Sequence, residues 1–509
     1  MTSSAAADGS TPPAASRRTW LGLFVLQLPV LLVSMDFSVL YLAMPTISDA
    51  LDPSATNQLW ILDIYGFMIA GLLITMGNVG DRIGRRRILL AGAALFGIAS
   101  AIAAFAPSAG ALIAARALMG IGGATLMPAS LSLIANMFRR PDERGRAIGV
   151  WTAAFAGGAA IGPVIGGLLL HQFWWGIVFL INVPVLAVLF LAGPSLLPEF
   201  RAARTDPFDF VGVVLSLLGI LPAVYAVKTF AAEGITTTAV ITGVVGIVML
   251  PAFIWHQRRS RAPLLTLSLF RDPATCAALA IALVGMMSEG GIAYLANVYL
   301  QSVLGHDVLV AALAGIPMAV TIAVFSVYAN RLTRRIGIRF ALAGSVLLAA
   351  IANIGLLALS TSSALWIFMT LTAIAGVGFG IQFSLVSDVV VGSAPPEKSG
   401  AASGISETSF ELGTALGLAL LGSLATAVFL SRDDGYGFAD SLGETLKRAD
   451  DLGPAGDVLS GAAQLAFVDG FHAAALTGGA LLALLSVVVL FVMRDHGRDG
   501  SHSPAENVV

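Results

Sequence analysis

Fourteen apolar stretches, each about as long as a bilayer-spanning helix, constrain this chain more than any other feature of its sequence. A helix needs about 20 apolar residues to cross the hydrocarbon core of a bilayer. The chain is 57% hydrophobic and 11% charged, against about 25% charged residues in a soluble domain. It is therefore predicted to be an all-α polytopic membrane protein. The predicted helices lie near 20–44, 57–78, 88–106, 110–135, 146–170, 174–196, 209–229, 237–255, 274–299, 308–329, 338–359, 364–390, 400–429 and 466–492.

Composition excludes several other classes of protein. The net charge of -2 gives no basic field for a nucleic-acid partner. The single cysteine, Cys276, excludes an intrachain disulfide framework and a thiol pair for a metal. The first apolar stretch is too long for a signal peptide, so it is predicted to be an uncleaved helix. Residues 1–18 before it are predicted to be a disordered cytoplasmic tail.

The basic residues predict how the chain is oriented. With an even number of helices, both termini lie on the same side of the membrane. Most of the 28 lysines and arginines fall on the side of the termini, whereas Lys228, Arg432, Lys447 and Arg448 fall on the other and Arg116 lies within helix 4. Because basic loops stay cytoplasmic, we expect both termini in the cytoplasm of a bacterial cell. The acidic segment 431–464 is then an external loop.

An internal repeat relates the two ends of the chain. The segment GNVGDRIGRRR, which begins at Gly77, has a degraded echo in SVYANRLTRRIG, which begins at Ser326, and Asp81 corresponds to Asn330. Both segments follow the second helix of a group of six. The repeat predicts two six-helix halves, a transporter architecture, with the remaining pair, helices 7 and 8, inserted between them. The predicted boundaries are 19–200, 201–262 and 263–493, followed by a cytoplasmic tail at 494–509.

Four motifs together resemble the major facilitator superfamily, specifically its fourteen-helix drug/proton antiporter branch. The loop after helix 2 fits the superfamily's loop signature, and Leu112 to Ala124 fits its helix 4 signature, although Met119 stands where glutamine is usual. Helix 1 carries Asp36 in a stretch typical of the branch, and helix 5 carries the antiporter motif. The conformational residues of these motifs are Gly77, Asp81, Arg82, Gly84, Arg85, Gly158, Gly162, Pro163 and Gly166.

Helix 13 narrows the resemblance to exporters of quaternary ammonium compounds, through Ser406, Glu407 and Glu411. The resemblance implies a major facilitator fold and a proton-coupled antiporter of lipophilic cations and related drugs or dyes. It implies no enzymatic activity, no cofactor beyond the proton gradient, and a monomer in the bacterial inner membrane. The stretch 315–326 of helix 10 lacks the acid that some of these exporters carry there, which favours monovalent over divalent cations.

Acidic residues within predicted helices are the candidate coupling and binding groups. A mid-membrane carboxylate is costly unless it is paired or hydrated, and desolvation favours its protonated form. Glu407 and Glu411 lie one helical turn apart, so they face the same side and can share one proton. Asp36 and Arg116 can pair, either for coupling or as a static salt bridge. The full candidate set is Asp36, Asp63, Arg116, Glu289, Glu407 and Glu411.

Aromatic residues and glycines supply the remaining candidates. Aromatic rings attract cations, although each ring alone is better explained by packing or lipid contact. The candidate cavity aromatics are Trp60, Tyr65, Phe155, Phe379, Phe383 and Phe410. The helix 5 glycines repeat every four residues, which permits a close helix contact, and Pro163 can kink that helix. Asp81 and Arg85 are predicted to make interhelical contacts that break when the halves rotate.

Other functions are less well supported by the sequence. The nearest approach to a phosphate-binding loop, at 392–399, has Glu397 where its second glycine is required, which argues against an ATPase. The histidines are scattered, and no HExxH motif or nucleophile elbow occurs, which argues against a membrane enzyme. Two alternatives remain: a dedicated exporter of an endogenous metabolite or antibiotic, and a transporter-like sensor that carries no flux.

Overall fold

Fourteen helices in a computed structural model of the protein are long and apolar enough to cross a membrane, as predicted. The structure describes residues 14–53, 55–201, 209–260, 263–264 and 267–493. The helices are α1 (Arg17–Leu51), α2 (Ala55–Ile83), α3 (Arg85–Ala104), α4 (Ala109–Met137), α5 (Pro141–Gln172), α6 (Ile177–Leu196), α7 (Phe210–Glu233), α8 (Thr237–Arg259), α9 (Pro273–Val298), α10 (Val308–Ile336), α11 (Ile338–Gly355), α12 (Leu365–Gly392), α13 (Ser399–Ser431) and α14 (Asp457–Val492).

Several helices extend beyond the apolar stretches that predicted them. The hydroxyl of Ser16 caps α1 by accepting a hydrogen bond from the backbone N–H of Thr19, so the end of the predicted 1–18 tail is helical. The rest of that tail, up to residue 13, and the tail 494–509 lie outside the described residues. The predicted loop 431–464 is too long, because α14 already begins at Asp457. A short amphipathic helix, Leu442–Asp451, lies within it.

The two groups of six helices pack by the same pattern. In the first group α1 packs against α5, α4 against α2 and α3, and α6 against α1 and α3. In the second group α9 packs against α13, α12 against α10 and α11, and α14 against α9 and α11. The groups meet along two seams, α2 against α13 and α5 against α10. We call the end of the bundle that carries Arg85, Arg144 and Arg334 the arginine-rich end.

The helices α7 and α8 form a separate pair beside the α2/α13 seam. They pack on each other, and α7 also contacts α2 and α13. The rings of Trp60 on α2 and Tyr225 on α7 stack with centroids 5.8 Å apart. At the arginine-rich end, Asp209, the residue before α7, links α7 to α8 by accepting hydrogen bonds from His256 and Gln257 on α8. Burial raises the pKa of the Asp209 carboxyl, but these hydrogen bonds outweigh that effect and lower it.

Candidate functional site

A cavity of about 370 Å³ lies between the two groups of six helices. Its walls come mainly from α5 of the first group and from α9, α10, α12 and α13 of the second, with smaller contributions from α4 and α11. It extends from Ser387 and Glu407, deep in the bundle, to Leu300 and Phe368, near the helix ends opposite the arginine-rich end. Most of its lining is apolar. This size and character suit a small lipophilic molecule.

Three of the predicted acids line this cavity: Glu289, Glu407 and Glu411. All three belong to the second group of helices, Glu289 to α9 and the other two to α13. Glu407 is 5% exposed, and its Oε1 atom accepts no hydrogen bond from the described residues. The helical spacing of Glu407 and Glu411 does place both on the cavity face. The cavity therefore brings several carboxylates together in apolar surroundings.

Asp36 and Arg116 do not line the cavity but form a buried ion pair in the first group. Both side chains are almost fully buried. The guanidinium Nη1 donates to Asp36, Nε donates to the carbonyl oxygen of Ile61 at 3.2 Å, and the group lies 4.6 Å from the ring centroid of Tyr65. This geometry fits the static salt bridge. Asp63, partly exposed on α2, is not among the residues that line the cavity either.

Four of the six predicted aromatic residues line the cavity: Phe155, Phe379, Phe383 and Phe410. Phe383 stacks on Phe379, with centroids 5.7 Å apart, and meets Phe410 edge to face at 5.5 Å. The prediction was wrong for Trp60 and Tyr65. Trp60 turns toward α7, whose packing against α2 the sequence did not indicate. Tyr65 is fully buried beside Arg116, where its ring covers the guanidinium.

The loop motif closes the α2/α13 seam at the arginine-rich end. Asp81 Oδ1 accepts a hydrogen bond from the backbone N–H of Gly400 at 3.1 Å, and Oδ2 accepts one from Ala401 at 3.0 Å. Since these are the first turns of α13, the carboxylate also faces the positive end of the helix dipole. Arg85 Nη2 pairs with Asp81 Oδ1 at 2.7 Å and also donates a hydrogen bond to the carbonyl oxygen of Pro396. The loop motif thus joins the two groups of helices.

Two glycines of this motif are required by its geometry. A side chain at Gly77 would collide with the carbonyl oxygen of Gly400 on the other side of the seam. Gly84 has a φ of 115°, which L-residues rarely adopt, and its Cα lies against the carboxylate of Glu199. Arg82, also predicted here, reaches back along its own helix, where its Nε donates to Asn78 at 2.9 Å.

Different contacts close the α5/α10 seam at the same end of the bundle. Asn330, the counterpart of Asp81, donates to the carbonyl oxygen of Asp142 at 2.9 Å in the first turn of α5. Arg334 pairs with the Asp142 carboxylate at 3.0 Å. Nearby, Arg144 on α5 pairs with Asp388 on α12 at 2.7 Å. The two groups of helices are therefore in contact along both seams at the arginine-rich end.

The helix 5 motif forms a close contact with α1, as its glycine spacing predicts. Gly158 lies against Ser34, Gly162 against Ser38 and Met35, and Gly166 against Val39. Pro163 lies between these glycines but faces the cavity. One face of α5 thus packs on α1 while another lines the cavity. A change in the α1/α5 contact would move the cavity wall.

Two cavity residues with functional potential escaped the sequence analysis. Thr152 and Ser387 line the deep part of the cavity, and their hydroxyl oxygens have no hydrogen-bond partner among the described residues. Serine and threonine are common in membrane helices, where the hydroxyl usually bonds to the preceding turn. Only the three-dimensional arrangement separates these two from the rest.

The fold and the cavity define a polytopic membrane protein in which two repeated six-helix groups enclose a central binding space. The chain belongs to the Major Facilitator Superfamily, whose family model matches residues 29–418. It is 41% identical to the "Multidrug efflux pump LfrA" of Mycolicibacterium smegmatis over 82% of this chain and 83% of that protein. It is 34% identical to the "Methyl viologen resistance protein SmvA" of Salmonella typhimurium over 93% and 98%.

Two further comparisons extend this result. The "Tetracenomycin C resistance and export protein" of Streptomyces glaucescens is 29% identical over 95% of this chain and 94% of that protein. The crystal structure of the human organic anion transporter MFSD10 (TETRAN) matches with a TM-score of 0.63 at 16% identity, over 94% of this chain and 100% of that one, and supports the fold alone. The protein is therefore a multi-pass inner membrane transporter similar to multidrug and antibiotic efflux pumps.

Proposed function

We propose that this protein is a proton-coupled antiporter that exports monovalent lipophilic cations, including quaternary ammonium compounds. One observation carries the proposal: three carboxylates, those of Glu289, Glu407 and Glu411, line a mostly apolar cavity walled by phenylalanine rings. Aromatic faces and carboxylates both attract cations. The apolar walls suit a lipophilic body attached to the positive charge. Among the relatives, one is named a multidrug efflux pump.

The coupling chemistry rests on the pair of acids in α13. Glu407 and Glu411 lie one turn apart, so two negative charges there would repel each other in apolar surroundings. A single shared proton relieves this repulsion. An incoming cation supplies the positive charge instead, and the proton leaves to water. Cation and proton then occupy the same site in turn, which is the requirement for exchange, and the proton gradient drives the cycle without a cofactor.

The contacts at the arginine-rich end explain how the cavity can open alternately to the two sides of the membrane. Asp81, Asn330 and Arg144 bridge the two groups of helices there, while the cavity lies on the other side of these contacts. We assign the arginine-rich end, and both termini, to the cytoplasm. The described conformation is then closed to the cytoplasm. Rocking of the two halves along the α2/α13 and α5/α10 seams would break these bridges and expose the acids to the cytoplasm. One chain contains the whole cavity, so we propose a monomer.

Ethidium efflux driven by an imposed proton gradient tests the proposal. Purified protein is reconstituted into liposomes, and the intact chain is compared with Glu407→Gln, which keeps the side-chain shape but cannot exchange a proton. We expect gradient-dependent transport by the intact chain and a loss of at least tenfold in the variant. The matched control is Glu444→Gln, since Glu444 is exposed on the helix within the loop, and transport should not change.

Two results would contradict the proposal. Equal transport with and without the gradient would remove proton coupling, and full activity of Glu407→Gln would remove that acid from the mechanism. Methyl viologen, a quaternary bipyridinium dication, serves as the divalent probe. We expect it to compete poorly, because the part of α10 that lines the cavity contributes no acid.

A dedicated exporter of an antibiotic is the second candidate. The relatives named for resistance to puromycin, tetracenomycin C and methylenomycin A favour it. The two candidate functions can be distinguished in the same reconstituted vesicles by measuring transport of each of these antibiotics and of ethidium. Transport of one antibiotic without ethidium transport would favour the dedicated exporter. Gradient-driven transport of several unrelated cations would favour the multidrug pump.

A further inference from the structure

The deep end of the cavity holds three polar groups whose hydrogen-bonding capacity is unused. They are the hydroxyls of Thr152 and Ser387 and the Oε1 atom of Glu407. All three residues line the cavity and are 5%, 0% and 5% exposed, respectively. None of these atoms has a hydrogen-bond partner among the described residues. Buried polar groups that remain unpaired are costly, so these atoms indicate a place where a ligand completes the bonding.

The aromatic contacts show that two of these groups lie at the same depth. Phe383 and Phe410 meet edge to face across α12 and α13. Ser387 follows Phe383 by one turn and Glu407 precedes Phe410 by one turn. Because the two helices run in opposite directions, both steps lead toward the arginine-rich end, by about 4.5–6 Å. Ser387 and Glu407 therefore form the floor beneath the phenylalanine pair.

Thr152 completes this floor from the other half of the protein. It lies on α5, one turn before Phe155, whose ring also lines the cavity. The neighbouring Trp151 has its indole N–H engaged with Ser130 at 3.0 Å, so it does not satisfy the threonine. The polar floor, which we define as Thr152, Ser387 and Glu407, thus offers acceptor oxygens from both halves beneath aromatic walls.

We propose that this polar floor is a subsite for the N–H group of a protonated amine, and that the transporter binds protonated tertiary amines more tightly than quaternary ammonium ions of the same shape. A tertiary ammonium carries one N–H, which can donate to Glu407 or to a floor hydroxyl. A quaternary ammonium carries none and leaves every floor oxygen unpaired. The inference rests on the proposed function, because it refines which lipophilic cations the same cavity prefers.

The expected preference is opposite to that of a purely apolar site. The tertiary ammonium is the better hydrated of the two ions, so an aromatic cavity without acceptors would favour the quaternary one, which loses less on leaving water. Only a site that replaces the lost hydrogen bond reverses this order. Tighter binding of the tertiary ion would therefore indicate that the polar floor accepts its hydrogen bond, and tighter binding of the quaternary ion would indicate that it does not, whatever the overall affinity.

Direct binding of a matched pair of ligands tests the inference. N,N-dimethyl-1-naphthylmethylamine and its N-methylated quaternary salt are titrated calorimetrically into the purified protein at pH 7, where an alkylamine is protonated. We expect the tertiary ammonium to bind about 5- to 10-fold more tightly, because the gain from one charge-assisted hydrogen bond, about 10- to 100-fold, is partly offset by the greater cost of dehydrating the tertiary ion. In the Thr152→Val/Ser387→Ala variant this ratio should fall at least about twofold, because only Glu407 is then left to accept the N–H. An unchanged ratio would remove the two hydroxyls from the subsite.

Controls keep the result interpretable. Ser409→Ala changes a serine of α13 that does not line the cavity and whose hydroxyl bonds to Ile405, so the ratio should stay at its original value. If the double variant does not fold, Ser387→Ala alone should still lower the ratio. Equal or tighter binding of the quaternary salt by the intact protein overturns the subsite, as does binding of neither ligand. The proposed transport function is tested separately by ethidium efflux. A negative result in the binding experiment therefore contradicts the subsite but not the transport function.

Discussion

The two halves share one pattern of helix packing but place their charged groups differently. In the first half, Asp36 is bound to Arg116 within the protein, away from the cavity. In the second half, Glu289, Glu407 and Glu411 all face the cavity. A buried ion pair is hard to separate, whereas a carboxylate at a cavity wall can exchange its partner. The first half thus contains a buried charge pair, whereas the acids of the second half line the cavity.

The seams at the arginine-rich end repeat this contrast. On the α2/α13 seam, the carboxylate of Asp81 accepts backbone hydrogen bonds from Gly400 and Ala401. On the α5/α10 seam, Asn330 occupies the corresponding position and donates an uncharged amide hydrogen bond to Asp142. Hydrogen bonds to charged groups are roughly twice as strong as neutral ones. The α2/α13 seam should therefore contribute more to the closed state.

Among the changes that test the comparison of the two halves, removal of the buried cation of Arg116 should have the largest effect on stability. Arg116→Leu leaves the Asp36 carboxylate buried without its partner, which costs about 3–5 kcal/mol. We expect a sharp loss of monodisperse protein after detergent extraction and a lower unfolding temperature. Arg116→Leu combined with Asp36→Leu should recover part of the loss, since no charge is then left unpaired.

The second half should respond differently. Glu407→Gln removes an acid without stranding a buried cation, so its unfolding temperature should stay near that of the intact chain. If Arg116→Leu were as stable as Glu407→Gln, Asp36 and Arg116 would not be the structural pair that their geometry indicates, and a role for them in coupling would regain support.

The sequence predicted the fold class and the number of membrane helices, but helix ends and the site only in part. Helix number follows from apolar length, and the glycines of α5 and the acids of α13 follow from helical spacing, because each pattern is local. Trp60 and Tyr65 were misplaced because the direction of an aromatic ring depends on which helix packs beside it. Thr152 and Ser387 were missed for the same reason. A single sequence does not record that α5 and α12 face each other across a cavity.

The two seams should respond unequally to loss of their central side chains. Asp81→Asn removes a charged acceptor, and since hydrogen bonds to charged groups contribute about 1.5–3 kcal/mol, the open state should become about 10- to 100-fold more populated. Asn330→Ala loses neutral bonds of about 0.5–1.5 kcal/mol and should shift the population less. The measurement is the rate of maleimide labelling of Ser132→Cys, in a background where Cys276→Ser removes the native thiol.

Ser132 on α4 suits this readout because it is fully buried and hydrogen-bonds to Ser399 at the start of α13, in the other group of helices. Labelling therefore requires that the arginine-rich end open. Equal acceleration by Asp81→Asn and Asn330→Ala would show that the charge on the first seam adds nothing, and the comparison between the seams would fail.

Adding a single methyl group to each seam should give the smallest effect. In Gly77→Ala the new methyl meets the carbonyl oxygen of Gly400, a backbone atom that cannot move without shifting α13. In Gly145→Ala it meets the side-chain amide of Asn330, which can rotate away. A single added methyl lies at the low end of the cost of overpacking, about 1 kcal/mol, so Gly77→Ala should accelerate Ser132→Cys labelling about fivefold and Gly145→Ala should hardly change it. A larger effect of Gly145→Ala would mean that the α5/α10 seam, despite its neutral contact, is the more tightly packed of the two.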